Sequence, residues 1–235
     1  MPTGIGGEVA WWVPSLTSEA STTVTNQVGG INNGTLTTSA MWATDGDGKR
    51  CLVTTASRTM SVAHNASFVL PNEYTYSFWL KFSAYVSNAG ISNKGFNLPR
   101  VLAVVSTTTS LYCQHGTSAN EYFSTGSGSP TVNTWNNIII TQSKVGSTYT
   151  LSSYLNGSLI SAQSHTSTPA ASTSSFAMGG YIGGTLFPMS LDDIRLYYSV
   201  IDSTKRAQLS SVRGYEPPAT TQRRRTSQSS IRSTF

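Results

Sequence analysis

Large apolar side chains alternate with other residues over the segment 74–82. Positions 74, 76, 78, 80 and 82 are Tyr, Tyr, Phe, Leu and Phe, and the residues between them are Thr75, Ser77, Trp79 and Lys81. A period of two puts successive side chains on opposite sides of a strand. The segment is therefore predicted to be a strand with one buried face.

Short segments rich in apolar and β-branched residues recur along most of the chain, and turn residues separate them. After a short apolar segment at 11–16, we predict strands at 51–54, 58–63, 100–106, 110–114, 135–143, 149–156, 158–164, 177–182 and 192–198. Asn156-Gly157 predicts a type I′ hairpin, because both residues tolerate positive φ. The one predicted helix is 202–212, with Asp202 or Ser203 as its N-cap and Gly214 ending it. Many strands and almost no helical period predict an all-β sandwich.

Composition narrows the class of protein. Charged residues make up 11% of the 235 residues, against roughly 25% in ordinary domains. The hydrophobic content of 38% suffices for a core, which argues against a disordered body. No apolar run approaches the roughly 18 residues of a membrane-spanning helix. Two cysteines exclude a disulfide framework, and we predict that Cys51 and Cys113 are buried thiols, with a disulfide between them as the alternative.

A change of composition after Gly214 divides the chain into a body, 1–213, and a basic tail, 214–235. The tail carries four arginines and one glutamate, 4 − 1 = +3 of the net charge of +5, so the body is nearly neutral. Its few apolar groups cannot offset the entropy cost of ordering it. A solvated, disordered end is one interpretation. If the tail is ordered, we expect it to dock on an acidic surface of another chain. The residues expected to make that contact are Arg223, Arg224, Arg225, Ile231, Arg232 and Phe235. Binding of nucleic acid by the tail is a weaker alternative.

Four stretches resemble, in order and spacing, the laminin-G-like (concanavalin A-like) jelly-roll family, in the stand-alone form of bacteria and phages. They are 9–12, 76–81, 135–140 followed by 154–159, and 191–197. The resemblance implies a two-sheet antiparallel jelly-roll sandwich over 1–213, with a short C-terminal helix and an extended basic tail. Members of the superfamily bind sugars, hydrolyse them or serve as adhesion modules. Thr54-Thr55-Ala56 stands where the family often has Phe-Asp-Gly, and Pro14-Ser15 replaces a common acidic residue, which argues against the family's calcium site.

The acidic residues do not predict an enzyme. Glycoside hydrolysis needs two carboxyl groups flanking one bond, and the Glu-x-Asp-x-x-Glu strand of hydrolytic relatives is absent. Asp192 and Asp193 are neighbours on a predicted strand, so we expect them to point to opposite faces. The family resemblance implies that one of them has a structural role, as a cap or in an ion pair with Arg195. Asp45 and Asp47 offer oxygen ligands for Ca²⁺ and are a weak candidate site, but a turn that uses Asp and Gly for their backbone tolerance is the favoured interpretation. No other cofactor is predicted, and the three histidines lack the spacing of a zinc site.

Aromatic side chains on loops are the candidates for contact with glycans, since a ring face stacks on the apolar face of a pyranose. The candidates are Tyr112, His115, Tyr122, Phe123 and Tyr181. Trp12, Trp79 and Trp135 lie in strand patterns and are predicted to belong to the core.

The first residues, 1–8, contain neither the basic nor the apolar region of a secretory signal. Either a signal was removed and Met1 added again, or the protein is made and kept in the cytosol, which is the favoured interpretation. An adhesion-type body kept in the cytosol would suggest a phage virion surface protein, such as a capsid decoration or cement protein. Its tail would dock on the major capsid protein or another virion chain, its body would face outward towards cell-surface glycans, and a homo-oligomer is expected. The alternative is an extracellular glycan-binding adhesin or lectin, either secreted or borne on a tail fibre. A divergent glycosidase is less favoured.

Overall fold

A computed structural model gives the fold of the chain. It describes residues 4–29, 31–55, 58–66, 68–87, 89–94, 102–116, 122–126, 128–169, 172–179, 185–186 and 188–214. The predicted docking residues between Arg223 and Phe235 therefore lie outside the described residues, as does Tyr181.

The described strands form two sheets that pack face to face. The first, eight-stranded sheet has the spatial order β14 (Ser158–His165), β13 (Thr148–Leu155), β12 (Asn136–Val145), β7 (Tyr74–Phe82), β17 (Met189–Tyr197), β5 (Arg50–Thr54) and β4 (Trp42–Thr44), and β1 (Glu8–Trp12) also pairs with β17. The second, nine-stranded sheet has the order β11 (Tyr122–Gly126), β10 (Leu111–Gly116), β9 (Leu102–Ser106), β8 (Ala89–Lys94), β15 (Phe176–Met178), β6 (Met60–Val62), β3 (Gly34–Leu36) and β2 (Thr23–Val24). β16 (Thr185–Leu186) joins β8 in parallel, and the other described pairings are antiparallel. The predicted two-sheet sandwich is confirmed.

The core between the sheets is built from aromatic and branched side chains. Trp12 stacks on Phe176 with ring centroids 6.0 Å apart, and Phe68 meets both rings edge-on. Cys51 and Cys113 are buried thiols on strands of opposite sheets and are not joined in a disulfide, as predicted.

The prediction of one buried face for β7 is too simple. The strand has the predicted bounds, and Tyr76 and Phe78 point into the core. Ser77 and Trp79, on the other face, are buried as well. Trp79 lies beneath the C-terminal helix and donates from Nε1 to the carbonyl of Leu209 at 3.1 Å. A central strand of this sheet is therefore covered on both sides.

The helix α1 (Ser203–Ser211) forms where it was predicted. Asp202 caps it by accepting a hydrogen bond from the backbone N–H of Lys205 at 2.8 Å, and Gly214 follows it with a φ of +69°. Its buried Leu209 packs against Ile139 on the outer face of the eight-stranded sheet. No helix of the described residues has the length and apolar run needed to span a membrane.

Candidate functional site

Two adjacent aspartates on β17 begin a polar network on the outer face of the eight-stranded sheet. Asp193 has a φ of +47°, and the pairing of β17 with β7 shifts register between Asp192 and Arg195. Asp192 Oδ2 accepts from Arg213 Nη1 at 3.3 Å, and Asp193 Oδ2 accepts from the N–H of Gly214 at 3.2 Å. Both carboxylates thus accept hydrogen bonds from the segment 213–214, which follows α1. The prediction that they point to opposite faces is wrong, because a β-bulge breaks the period of two.

Arg195 is fully buried and pairs with two carboxylates. Its Nε donates to Asp193 Oδ1 at 2.6 Å, and its Nη1 donates to Glu8 Oε1 at 3.1 Å. Its guanidinium lies 4.1 Å from the ring centroid of Trp11, whose Nε1 donates to the same Asp193 oxygen. Burial disfavours the charged guanidinium, but the carboxylates outweigh this effect and raise the pKa of Arg195. The expected pairing with Arg195 is confirmed, and it ties β1 to β17.

The turn that contains Asp45 and Asp47 belongs to the same network. Asp45 accepts from Lys81 Nζ at 2.8 Å and from Trp135 Nε1 at 2.6 Å. Asp47 accepts from Arg213 Nη2 at 2.6 Å with each oxygen. Burial opposes the ionisation of Asp45, but the bonds from Lys81 and Trp135 lower its pKa to about 2. In the described part of the chain no group of three or more His, Cys, Asp or Glu side chains is placed to hold a metal ion. The carboxylates serve ion pairs, so the geometry supports the turn interpretation over a calcium site.

An open cleft lined by described residues lies between α1 and the β13–β14 hairpin, and we call it the helix cleft. It encloses about 550 Å³. Its lining combines one aromatic ring, two apolar side chains, hydroxyl and amide groups and one cation. The lining residues are Tyr154, Asn156, Gly157, Leu159, Ser203, Arg206, Ala207 and Ser210.

The buried Asn137 on β12 positions both walls of the helix cleft. Its N–H donates to Asn156 Oδ1 at 2.8 Å, and its carbonyl accepts from the N–H of Asn156 at 2.9 Å. Its side-chain Oδ1 accepts from Ser210 Oγ on α1 at 2.8 Å. Its Nδ2 donates to Ser77 Oγ of β7 at 3.2 Å. The side chain and backbone of Asn137 therefore connect the hairpin, the helix and strand β7.

The hairpin turn meets the helix closely. Asn156 and Gly157 have φ values of +49° and +83°, which confirms the predicted turn with positive φ at both positions. A Cβ added at Gly157 would lie 3.3 Å from Cβ of Ser210. Glycine therefore serves the turn and the approach of the helix together.

Arg206 makes two contacts at the wall of the helix cleft. Its Nη1 donates to the carbonyl of Ile201 at 2.7 Å. Its guanidinium carbon lies over the ring of Tyr154, 4.7 Å from the ring centroid. Leu159, which lines the same cleft, is 57% exposed.

The aromatic candidates that the structure describes lie on the other sheet. Tyr112 is half-buried on β10 and pairs with Gly126 of β11, where an added side chain would meet no atom within 4 Å. The backbones of Tyr122 and Phe123 pair with those of Gly116 and His115. The structure therefore brings Tyr112, Tyr122 and Phe123 to one edge of the nine-stranded sheet, but not to the helix cleft.

His115 is a correction to the predicted set. It lies within β10 rather than on a loop, and only 1% of its surface is exposed. Its Nδ1 is 3.0 Å from Tyr74 Oη, and the two rings stack. Burial, with a smaller effect of His165, lowers the pKa of His115 to about 3. A neutral imidazole inside the sandwich is not a surface contact for a sugar.

The outer face of the nine-stranded sheet carries small uncharged side chains. Strand registers align Thr23, Thr35, Ser61, Ala177, Asn93 and Gln114 in one row. Ser61 and Ala177 fall between residues that point into the core, which places the row outside. The low charge of the sequence is thus most evident on this face.

The sequence interpretation missed the helix cleft, although it predicted both of its walls. The hairpin and the helix were each identified from local signals, but their approach depends on contacts between residues far apart in the chain. The bond from Ser210 to Asn137 spans 73 residues. Tyr154 before the Asn-Gly turn was the one signal available, because it is an aromatic residue adjacent to a predicted turn.

A family model described as the concanavalin A-like lectin/glucanases superfamily matches residues 54–205, more than half of the chain. A search of curated protein sequences finds no significant match. Many solved structures share the fold. The binding domain of Paraclostridial Mosquitocidal Protein 1 is 15% identical with a TM-score of 0.70, over 87% of this chain and 52% of that one.

Two further structures are similar and were solved with sugars bound. Domain 4 of AbnA, an extracellular arabinanase of Geobacillus stearothermophilus in complex with arabinotriose, is 15% identical with a TM-score of 0.65, over 86% of this chain and 98% of that one. The binding domain of Botulinum neurotoxin DC in complex with SialylT is 14% identical with a TM-score of 0.63, over 87% and 51%. The chain spans about half the length of the toxin binding domains. These likenesses show the fold, which resembles that of binding domains, and together with the family model they establish that the chain belongs to the concanavalin A-like lectin/glucanase superfamily.

Proposed function

We propose that this protein is a non-catalytic carbohydrate-binding module and that the helix cleft holds the oligosaccharide. The observation that carries the proposal is the lining of the cleft. Leu159 and Ala207 offer apolar surface to the C–H face of a sugar ring, and Asn156, Ser203 and Ser210 offer hydrogen-bonding groups to its hydroxyls. A concave site with few, convergent polar groups is the usual form of a ligand site.

The proposal of binding without hydrolysis is supported by the carboxylates. Hydrolysis of a glycosidic bond needs two carboxyl groups about 5–9.5 Å apart across the substrate. The lining of the helix cleft contains no Asp or Glu. Every carboxylate in the described residues accepts at least one hydrogen bond from the protein, and the acceptors are Glu8, Glu19, Asp45, Asp47, Glu73, Asp192, Asp193 and Asp202.

A glycan array followed by calorimetry tests the proposal. We expect the protein to bind at least one oligosaccharide, Tyr154→Ala to weaken that binding about tenfold or more, and Tyr112→Ala to leave it unchanged. Tyr112 is the matched control because it is a half-buried tyrosine on the opposite sheet. Loss of binding in Tyr112→Ala alone would move the site to the nine-stranded sheet. Failure to bind any glycan would refute the proposed function.

We further propose that the module is displayed on a phage virion as a capsid decoration or cement protein. The support is the composition of residues 214–235, whose arginines suit docking on an acidic surface such as that of the major capsid protein. Particles assembled with a chain lacking residues 219–235 are expected to lose this protein and with it part of their thermal stability. Particles that retain the truncated chain at full occupancy would contradict the docking role of the tail.

Self-association, proposed for a virion component, is supported by the edge of the eight-stranded sheet. β14 ends that sheet among the described strands, and its eight residues include no charged side chain and no proline. Edge strands without such features readily pair with another strand. Light scattering is expected to show an oligomer that Ala162→Lys dissociates, and an unchanged mass would argue against pairing through β14.

A further inference from the structure

The charge of the helix cleft comes from one residue. Among the described residues, Arg206 is the only charged side chain in the lining, and it lies beside the groups proposed to contact sugar. The question is therefore whether Arg206 is neutralised within the protein or available to a ligand.

The partners of Arg206 separate it from the two buried arginines of the outer-face network. Arg195 and Arg213 each pair with two carboxylates. Arg206 has no carboxylate within 4.0 Å among the described residues, and its side chain makes one hydrogen bond, from Nη1 to the carbonyl of Ile201. Its Nε and Nη2 have no acceptor in the described part of the chain. No described carboxylate therefore neutralises this cation.

The geometry of Arg206 suits an anion of a particular shape. The Tyr154 ring lies against the guanidinium, and the Ile201 carbonyl accepts from its Nη1, so two contacts position the group. A carboxylate engages such a plane through two parallel N–H···O bonds. Less chain entropy is lost on binding because the side chain is already ordered.

We propose that the helix cleft selects acidic oligosaccharides, with the carboxylate of a uronic or sialic acid bound by Arg206 and the sugar ring lying against Leu159 and Ala207. The hydroxyls of Ser203 and Ser210 and the amide of Asn156 then serve the neutral part of the sugar. This inference rests on the proposed carbohydrate binding and adds to it the class of ligand.

Calorimetry with matched acidic and neutral ligands tests the selection. The probes are trigalacturonate and 3′-sialyllactose, each beside its carboxyl methyl ester. At least one acid is expected to bind about tenfold or more tightly than its ester, since a charge-assisted pair is lost. Raising the salt concentration from 50 to 500 mM should weaken the binding of the acid and leave the binding of the ester unchanged.

Variants assign the effect to Arg206. Arg206→Gln is expected to abolish the preference for the acid, and Arg206→Lys to retain only part of it, because lysine keeps the charge but lacks the planar fork. Arg58→Gln is the matched control, since Arg58 also donates to one backbone carbonyl, that of Ala40. A thermal melt of each variant checks that it folds.

The outcomes separate the two proposals. If each acid and its ester bind equally, or if only neutral glycans bind on the array, then the selection by Arg206 is refuted while carbohydrate binding stands. An acid preference that survives in a folded Arg206→Gln variant also refutes the role of Arg206. If no glycan binds at all, both proposals fail together.

Discussion

Replacing Asn137 by alanine tests whether one buried amide holds the helix cleft together. The substitution removes three side-chain hydrogen bonds. Oδ1 of Asn137 accepts from Ser210 Oγ, and Nδ2 donates to Ser77 Oγ and to the carbonyl of Phe78. Each is worth about 0.5–1.5 kcal/mol net. The bond to Phe78 is long at 3.4 Å, but Ser77 is left buried without this donor. We expect Asn137→Ala to lower the free energy of unfolding by about 2–4 kcal/mol.

Urea unfolding of a double-mutant cycle measures how much of this free energy comes from the bond between Asn137 and Ser210 on the helix. Ser210→Ala removes only the bond to Asn137 at a half-exposed site and is expected to cost about 1 kcal/mol. The double variant should cost less than the sum of the single variants by about 1 kcal/mol. Glycan affinity should fall in Asn137→Ala, although Asn137 does not line the cleft. Additivity within about 0.3 kcal/mol would refute the view that this bond holds the helix against the hairpin.

Three more predictions concern stability measured by urea unfolding. Gly157→Ala should lower the free energy of unfolding more than Gly146→Ala does. Both glycines have a positive φ, which costs alanine about 1–2 kcal/mol, but only at Gly157 would the new Cβ press on Ser210. Equal losses of stability would contradict the close approach of hairpin and helix. Arg195→Met should lower the free energy of unfolding by about 3–5 kcal/mol, because it leaves the buried carboxylates of Glu8 and Asp193 without their cation. An unchanged free energy of unfolding would refute this role of Arg195. The pKa of His115 is about 3 in the folded protein, against an ordinary value of 6.5 in the unfolded chain. Between these values the unfolded chain binds one more proton, so the free energy of unfolding falls as the pH drops below 6.5, by up to about 1.4 kcal/mol per pH unit. His115→Phe should therefore lose less stability between pH 7 and 4.5 than the unsubstituted chain, and equal losses would show that His115 does not cause the pH dependence.

Local patterns were enough to predict many of the elements. β7, the hairpin turn at Asn156-Gly157 and the cap of α1 by Asp202 were predicted because each depends on neighbours in sequence. β8 was missed because its sequence Ala-Gly-Ile-Ser-Asn-Lys has no alternation and a register shift interrupts it. Very short strands such as β2 and β4 carry too few residues to show a period.

The candidate site was less predictable because it depends on contacts across the fold. His115 looked like a loop residue, and only the length of β10 and the position of Tyr74 show that it is buried. Asp193 broke its strand pattern through a bulge that no local signal marked. The helix cleft requires Asn137 and Ser210 to meet, and neither residue is distinctive in the sequence.

The distribution of charge explains how a charge-poor chain can hold a selective site. On the outer face of the eight-stranded sheet, Arg195 and Arg213 are each held by two carboxylates, and these ion pairs tie β1 and the Arg213 segment to the sandwich. No Asp, Glu, Lys or Arg occurs between Lys144 and Asp192, so the hairpin wall of the cleft brings no competing charge. Arg206, which has no carboxylate partner among the described residues, is then expected to attract a bound anion more strongly than it would on an ordinary charged surface, where neighbouring carboxylates would share it. Introducing a carboxylate on the hairpin wall, as in Leu159→Glu, should therefore suppress acidic-ligand binding far more than Leu159→Gln does.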